Sequence, residues 1–119
     1  MTYTFNPEEK LTLAKIQEII DKKMTLALGD EAKRRIEKCR AYLNHKMESQ
    51  KEPIYGVTTG FGSLCNISIS KEQLSQLQKN LVMSHACGVG DEVPAEVVRL
   101  MLLLKAQNFT FGYSGAQLQ

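Results

Sequence analysis

The run VVRLMLLL near the carboxyl end, residues 97–104, constrains the fold of this chain more than any other stretch. Only Arg99 is polar, so a helix formed by this run is apolar nearly all round. Such a helix must be buried on every side, and the run is far too short to cross a bilayer, which takes about 20 apolar residues. Pro94 suits the first position of this helix, because its missing N–H would be unpaired there anyway. Since 119 residues can hardly surround such a helix, we expect other chain segments or other subunits to complete its burial.

Three further segments have helical periodicity, and together with the apolar run they predict a mainly α fold of about four helices. They are Thr12 to Lys22, Asp30 to Met47 and Lys71 to Ala86. Ahead of the third segment, Ser70 and Gln73 have the spacing of a capping box. Gly88 can end that helix in the left-handed conformation. The stretch MTLALGD, residues 24–30, predicts a brief extended or turning segment.

Composition and charge exclude several classes of function. Charged residues make up 24% and apolar residues 43% of the chain, the balance of an ordinary globular protein. The 15 Lys and Arg residues are scattered among 13 Asp and Glu residues, so we expect no binding to nucleic acid. The amino terminus has no export signal, which predicts a cytoplasmic protein without a membrane partner. We find no repeat and no linker, so residues 1–119 are predicted to be one segment without an internal boundary.

The number and spacing of the cysteines argue against a disulfide framework and against a zinc site. Cys39, Cys65 and Cys87 are odd in number and widely spaced, which does not fit paired disulfides or zinc ligands. We expect them to be reduced, small apolar side chains, and we expect no metal in this chain.

The stretch IYGVTTGFGSLCN, residues 54–66, lies between the second and third predicted helices and is unusual for a connector. It combines Tyr55 with Gly56, Gly60 and Gly62. The simplest interpretation is a glycine-rich turn in which the tyrosine packs as an amphipathic residue. A phosphate-binding loop is excluded, because neither glycine fingerprint of such loops is complete. The alternative is that glycines let the backbone approach a ligand while a phenol is held at the site.

His85, near the carboxyl end of the third predicted helix, is the candidate partner for Tyr55. Spacing alone favours a structural role, because helix carbonyls stabilise a protonated histidine at that end. His45 lies in the charged end of the second helix and is interpreted as structural or exposed. The sequence has no zinc-protease histidine pair, no serine nucleophile elbow and no acidic pair typical of glycosidases.

Four motifs, in consistent order and spacing from about Leu11 onward, resemble the amino-terminal part of the aromatic amino-acid ammonia-lyase and aminomutase family. They are YGVTTGFG at 55–62, LQKNLVMSHACGVG at 77–90, VVRLMLLLKA at 97–106 and GYSG at 112–115. Within the family, Ser84-His85 looks like the histidine ammonia-lyases. Thr58 stands where many of these carry asparagine, and threonine is familiar there in the relatives that act on tyrosine or phenylalanine.

The resemblance implies an enzyme that removes ammonia from L-histidine to give trans-urocanate, in histidine degradation. It implies that Tyr55 is the catalytic base taking the β-proton, that His85 holds the substrate imidazole and that Gly62 lies at the edge of the substrate. Two alternatives stay open: a tyrosine or phenylalanine ammonia-lyase or aminomutase, and a non-catalytic helical interaction module.

The resemblance also implies a homotetramer with a methylidene-imidazolone group, which forms from an internal Ala-Ser-Gly tripeptide. These 119 residues contain no such tripeptide; the nearest string is Tyr113-Ser114-Gly115-Ala116. We therefore expect the tripeptide beyond Gln119. The chain is then the amino-terminal segment of one larger lyase domain and makes no urocanate alone.

Overall fold

The computed structural model of the chain describes residues 1–50 and 52–118. In chain order, the described elements are β1 (Thr2–Phe5), α1 (Leu13–Asp21), β2 (Thr25–Leu28), α2 (Asp30–Ser49), α3 (Leu74–His85) and α4 (Ala95–Thr110), with 3-10 turns at Gly62–Leu64 and Lys71–Gln73. This confirms the mainly α fold, with four α-helices among the described residues and the glycine-rich stretch between α2 and α3. The chain forms two compact units, Met1–Leu43 with Val93–Gln119, and Asn44–Glu92.

The first unit is built on a two-stranded parallel sheet. β1 pairs with β2 in register from Thr2 opposite Thr25 to Phe5 opposite Leu28. Parallel strands need a crossover connection, and α1 provides it. The core of this unit consists of Phe5, Ile19 and Leu103, from β1, α1 and α4. The extended segment predicted at residues 24–30 is thus β2, whereas β1 was not expected from the sequence.

The helix ends follow the sequence signals in the first unit more closely than in the second. Thr12 caps α1, with its hydroxyl oxygen accepting the N–H of Lys15 at 3.2 Å. The capping box predicted ahead of α3 is wrong. The N–H of Gln73 donates to the backbone carbonyl of Ser70 at 3.0 Å, as in a 3-10 turn, and no side chain caps α3 at Gln73. Gly88 is not left-handed; Gly90 has the positive φ, 87°.

The apolar helix α4 is only partly covered. Leu103 is 4% exposed, but Met101 and Leu102 are 62% and 65% exposed, and Val97, Val98 and Leu104 also reach solvent. The described chain therefore leaves an exposed apolar face on α4, and completion of its burial by other chain segments or subunits stays a prediction. Among the described residues, no helix combines the length and the apolar character that a membrane span requires.

Candidate functional site

The second unit contains all three residues that the sequence predicts as catalytic or substrate-binding, which are Tyr55, Gly62 and His85. Two of them belong to the stretch at residues 54–66, called the glycine loop below. This loop is fixed by a buried threonine. Thr59 is 1% exposed, and its hydroxyl donates to the carbonyl of Gly60 at 2.9 Å and accepts the N–H of Gly56 at 3.2 Å. The Thr59 side chain therefore bonds to the backbone of two glycines, one before it and one after it in the chain.

Backbone hydrogen bonds attach the glycine loop to the segment before α3. Thr59 and Ser68 form an isolated antiparallel bridge. On either side of that bridge, the N–H of Gly60 donates to Ile67 at 3.2 Å and the N–H of Ile69 donates to Thr58 at 2.8 Å. Bonds of this length are ordinary backbone hydrogen bonds, so the loop has a defined conformation.

The three glycines of the loop are needed for different reasons. A β-carbon on Gly60 would lie 2.6 Å from the β-carbon of Leu64, and one on Gly56, whose φ is +69°, would lie 2.9 Å from the ring of Phe61. Gly62 has a φ of +56°, but a β-carbon there would meet nothing within 4 Å. Gly56 and Gly60 thus permit close packing inside the loop, whereas Gly62 borders open space.

Tyr55 projects from the loop and is 64% exposed. Its ring packs edge-to-face on Phe61, with ring centroids 6.0 Å apart and planes at 74°. The N–H of Gly62 points at the phenolic oxygen from 3.5 Å, which is longer than a normal N–H···O bond. The structure therefore brings Tyr55 and Gly62 together, and the tyrosine is not packed as a core residue.

His85 is the last residue of α3 and is exposed. Its Nδ1 atom lies 2.8 Å from the carbonyl oxygen of Leu81 and 3.1 Å from the hydroxyl oxygen of Ser84. The ring lies in an open depression whose other lining residues, Leu81, Val82 and Ala86, are apolar. The site thus has a polar ring within an apolar wall, an arrangement suited to a small heteroaromatic group.

The described contacts do not unite the three candidates into one cluster. None of the described hydrogen bonds or ring contacts joins His85 to Tyr55 or Gly62. A cavity of about 420 Å³ in the same unit has Thr58, Ser68 and Glu48 in its wall but none of the three candidates. The convergence of the phenol and the imidazole on one pocket remains a prediction.

Sequence reasoning missed Thr59, the residue that organises the loop. Thr59 is buried and is bridged to Ser68, and no pattern of neighbouring residues predicts that bridge. The three cysteines are free, with Cys65 and Cys87 exposed. Within residues 1–50 and 52–118, no group of three His, Cys, Asp or Glu side chains is arranged to hold a metal ion.

Bacterial histidine ammonia-lyases are similar in sequence to this chain. The chain is 42% identical over 109 residues to histidine ammonia-lyase 1 of Fusobacterium nucleatum, covering 92% of the chain and 21% of the relative. It is 41% identical over 119 residues to histidine ammonia-lyase of Streptococcus gordonii, covering 99% of the chain and 23% of the relative. The chain therefore spans about a fifth of the length of the curated relatives it matches.

Solved structures with similar folds include enzymes that act on different substrates. Ergothionase, an ergothioneine-degrading enzyme of Treponema denticola, matches with a TM-score of 0.89 at 25% identity over 98% of this chain and 23% of its own. Tyrosine aminomutase from Streptomyces globisporus matches with 0.85 at 28% identity over 98% and 22%. Histidine ammonia-lyase from Trypanosoma cruzi matches with 0.82 at 32% identity over 99% and 23%.

The family model for aromatic amino acid lyases matches residues 11–119, nearly the whole chain. That stretch contains the glycine loop, α3 with His85, and the apolar helix α4. The resemblance inferred from four short motifs is thereby confirmed at the level of the family. This chain belongs to the aromatic amino acid lyase family.

Proposed function

We propose that this chain forms part of the active site of an enzyme that eliminates ammonia from L-histidine to give trans-urocanate, in histidine degradation. Support comes from histidine ammonia-lyases that are 41–42% identical to this chain over 109–119 residues. The observation that carries the proposal is His85, a polar ring at the end of α3 in an otherwise apolar depression. An imidazole substrate needs one polar partner and apolar contacts for the rest of its ring.

Tyr55 is proposed to take the β-proton of the substrate. Its exposure and the long 3.5 Å contact from the N–H of Gly62 leave the phenolic oxygen available to another partner. Catalytic hydrogen bonds are often long without substrate and tighten when it binds. Shortening of the Gly62 contact would stabilise negative charge on the phenol oxygen, because an N–H donor strengthens toward an anion. Gly62 itself is proposed to lie at the edge of the substrate, where a side chain would intrude.

Elimination also needs an electrophile, which in this family would be a methylidene-imidazolone that activates the substrate. This chain does not contain the Ala-Ser-Gly tripeptide from which that group forms, and Tyr113-Ser114-Gly115-Ala116 has tyrosine in place of the alanine. The electrophile would therefore come from residues other than these. We expect the active enzyme to be a cytoplasmic homotetramer that contains this segment, and the 119 residues alone to make no urocanate.

A tyrosine or phenylalanine lyase or aminomutase is the second candidate. It is favoured by the tyrosine aminomutase structure at a TM-score of 0.85 and by threonine rather than asparagine at position 58. The hydroxyl oxygen of Thr58 accepts the N–H of Ile54 at 2.8 Å, so this residue supports the loop whatever the substrate. The third candidate, a helical interaction module without catalysis, requires no downstream chain.

Product analysis separates these candidates. The complete reading frame that contains this chain is expressed and incubated with L-histidine, L-tyrosine and L-phenylalanine in separate reactions. We expect trans-urocanate from histidine, detected by its ultraviolet absorbance and by mass. Release of an aryl acrylate from tyrosine or phenylalanine, or formation of a β-amino acid, would instead identify the second candidate. A stop codon directly after Gln119, with no turnover of any of the three, would support the interaction module.

A further inference from the structure

The side chain of His85 is held by two groups of its own helix. Nδ1 lies 2.8 Å from the carbonyl oxygen of Leu81 and 3.1 Å from the hydroxyl oxygen of Ser84. That hydroxyl oxygen is itself 2.8 Å from the same Leu81 carbonyl oxygen. Two oxygen atoms therefore lie within hydrogen-bond distance of one ring nitrogen and of each other, and the donor and acceptor roles of the three atoms must be mutually compatible.

Only one distribution of protons satisfies all three distances. A carbonyl oxygen has lone pairs and no proton, so each atom within hydrogen-bond distance of it must donate. The hydroxyl of Ser84 therefore gives its single proton to Leu81, and Nδ1 of His85 must carry a proton as well. If the hydroxyl proton went to Nδ1 instead, the lone pair of that nitrogen would face the lone pairs of the Leu81 carbonyl oxygen, with the two atoms only 2.8 Å apart.

The proton on Nδ1 determines the role of the other ring nitrogen. A neutral imidazole carries one proton, so the ring protonated at Nδ1 has an acceptor at Nε2. The hydrogen bond made by one ring nitrogen commonly sets the tautomer of a functional histidine in this way. The remaining residues of the depression, Leu81, Val82 and Ala86, offer only apolar side chains.

We propose that the Leu81 carbonyl and the Ser84 hydroxyl fix His85 as the tautomer protonated at Nδ1, so that Nε2 accepts a hydrogen bond from the substrate. Ser84 is then a positioning residue that acts through His85. The substrate class that this site selects is an amino acid whose ring carries a hydrogen-bond donor, an imidazole N–H or a phenol O–H. This part rests on the proposed function, whereas the tautomer can be measured without any turnover.

The first test is a nitrogen-15 NMR measurement of the 119-residue chain at about pH 9, where histidine rings are neutral. His45 is the internal reference, because the described hydrogen bonds include none to its ring and a histidine free in water prefers the proton on Nε2. We expect a protonated-type shift at Nδ1 of His85 and an unprotonated-type shift at Nε2, opposite to His45. Backbone shifts of Leu81 verify that α3 is formed. The same ring shifts in His85 and His45, with α3 formed, would overturn the tautomer.

Two variants test the role of Ser84. In Ser84→Ala the ring loses its second anchor, and we expect the His85 shifts to move toward those of His45. Ser84→Thr keeps the hydroxyl, so we expect it to retain the shifts of the unmodified chain. Unchanged His85 shifts in Ser84→Ala would overturn the positioning role, because the Leu81 carbonyl would then suffice.

The substrate class is tested with two analogues of similar ring size in the active full-length enzyme. β-(Pyrazol-3-yl)-L-alanine retains a ring N–H, whereas β-(2-thienyl)-L-alanine has none. Because an acceptor left without its partner is costly, we expect kcat/KM for the thienyl compound to be lower by about 100-fold or more. Equal values for the two analogues would overturn the proposed selection. Absence of turnover with every amino acid would instead refute the proposed function and leave the NMR result standing.

Discussion

Replacement of Thr59 tests whether its hydroxyl organises the glycine loop. Thr59→Val keeps the size and branching of the side chain but removes the bonds to Gly56 and Gly60. A net contribution of about 1 kcal/mol for each hydrogen bond gives a cost of about 2 kcal/mol. Thr59→Ser is the matched control. It keeps both hydrogen bonds and loses one buried methyl group, which costs about 0.8 kcal/mol.

Amide hydrogen exchange reports this cost locally. The N–H groups of Gly60 and Ile69 form the bonds on either side of the bridge at Thr59, so their exchange rates measure opening of the loop. We expect these rates to rise roughly 30-fold in Thr59→Val and roughly 4-fold in Thr59→Ser, since 1.4 kcal/mol is a factor of ten. The opposite order would refute the reasoning, because packing of the methyl group would then matter more than the hydroxyl.

Three further predictions concern other parts of the chain. The Lys15 ammonium, with a smaller effect from a second lysine that also binds Glu18, lowers the pKa of Glu18 from 4.5 to about 2. The stabilisation from this exposed cluster is complete above about pH 4.5 and is lost as the pH falls through about 2. In a carbon-13 titration, Lys15→Met should raise the pKa of Glu18 toward 4.5. Gly60→Ala should destabilise the second unit by about 1–3 kcal/mol in urea unfolding, because its methyl group would clash, whereas Gly88→Ala meets no atom within 4 Å and should stay within about 0.5 kcal/mol. Met101→Lys, at an exposed position of the apolar face, should reduce self-association in sedimentation experiments; unchanged association would show that this face does not mediate it.

The features predicted correctly from the sequence are those that depend on neighbouring residues. Thr12 precedes an apolar stripe, and the structure has a capped helix there. The bounds of α2 and the start of α4 agree with the predicted ones to within two residues. Periodicity and capping are local properties, so a single sequence contains the information that determines them.

The missed features depend on backbone pairings that the pattern of residues does not specify. β1 exists because residues 2–5 pair with residues 25–28, and no local pattern specifies a parallel partner. The predicted capping box at Ser70 was replaced by a 3-10 turn. Thr59 is buried and is bridged to Ser68. In the candidate site, the family resemblance predicted Tyr55, Gly62 and His85 as functional residues. Only the structure shows that the phenol oxygen of Tyr55 faces the N–H of Gly62.

The central claim is that the phenol of Tyr55 performs chemistry rather than packing, and Tyr42 offers a matched control. The two tyrosines are 64% and 65% exposed, and loss of an exposed hydroxyl should change stability by less than about 0.5 kcal/mol in either case. The decisive measurement is the rate of urocanate formation by the complete reading frame carrying Tyr55→Phe or Tyr42→Phe. We expect loss of the proton acceptor in Tyr55→Phe to lower kcat by about 100-fold or more, with Tyr42→Phe close to the unmodified enzyme. Normal turnover in Tyr55→Phe would contradict the account.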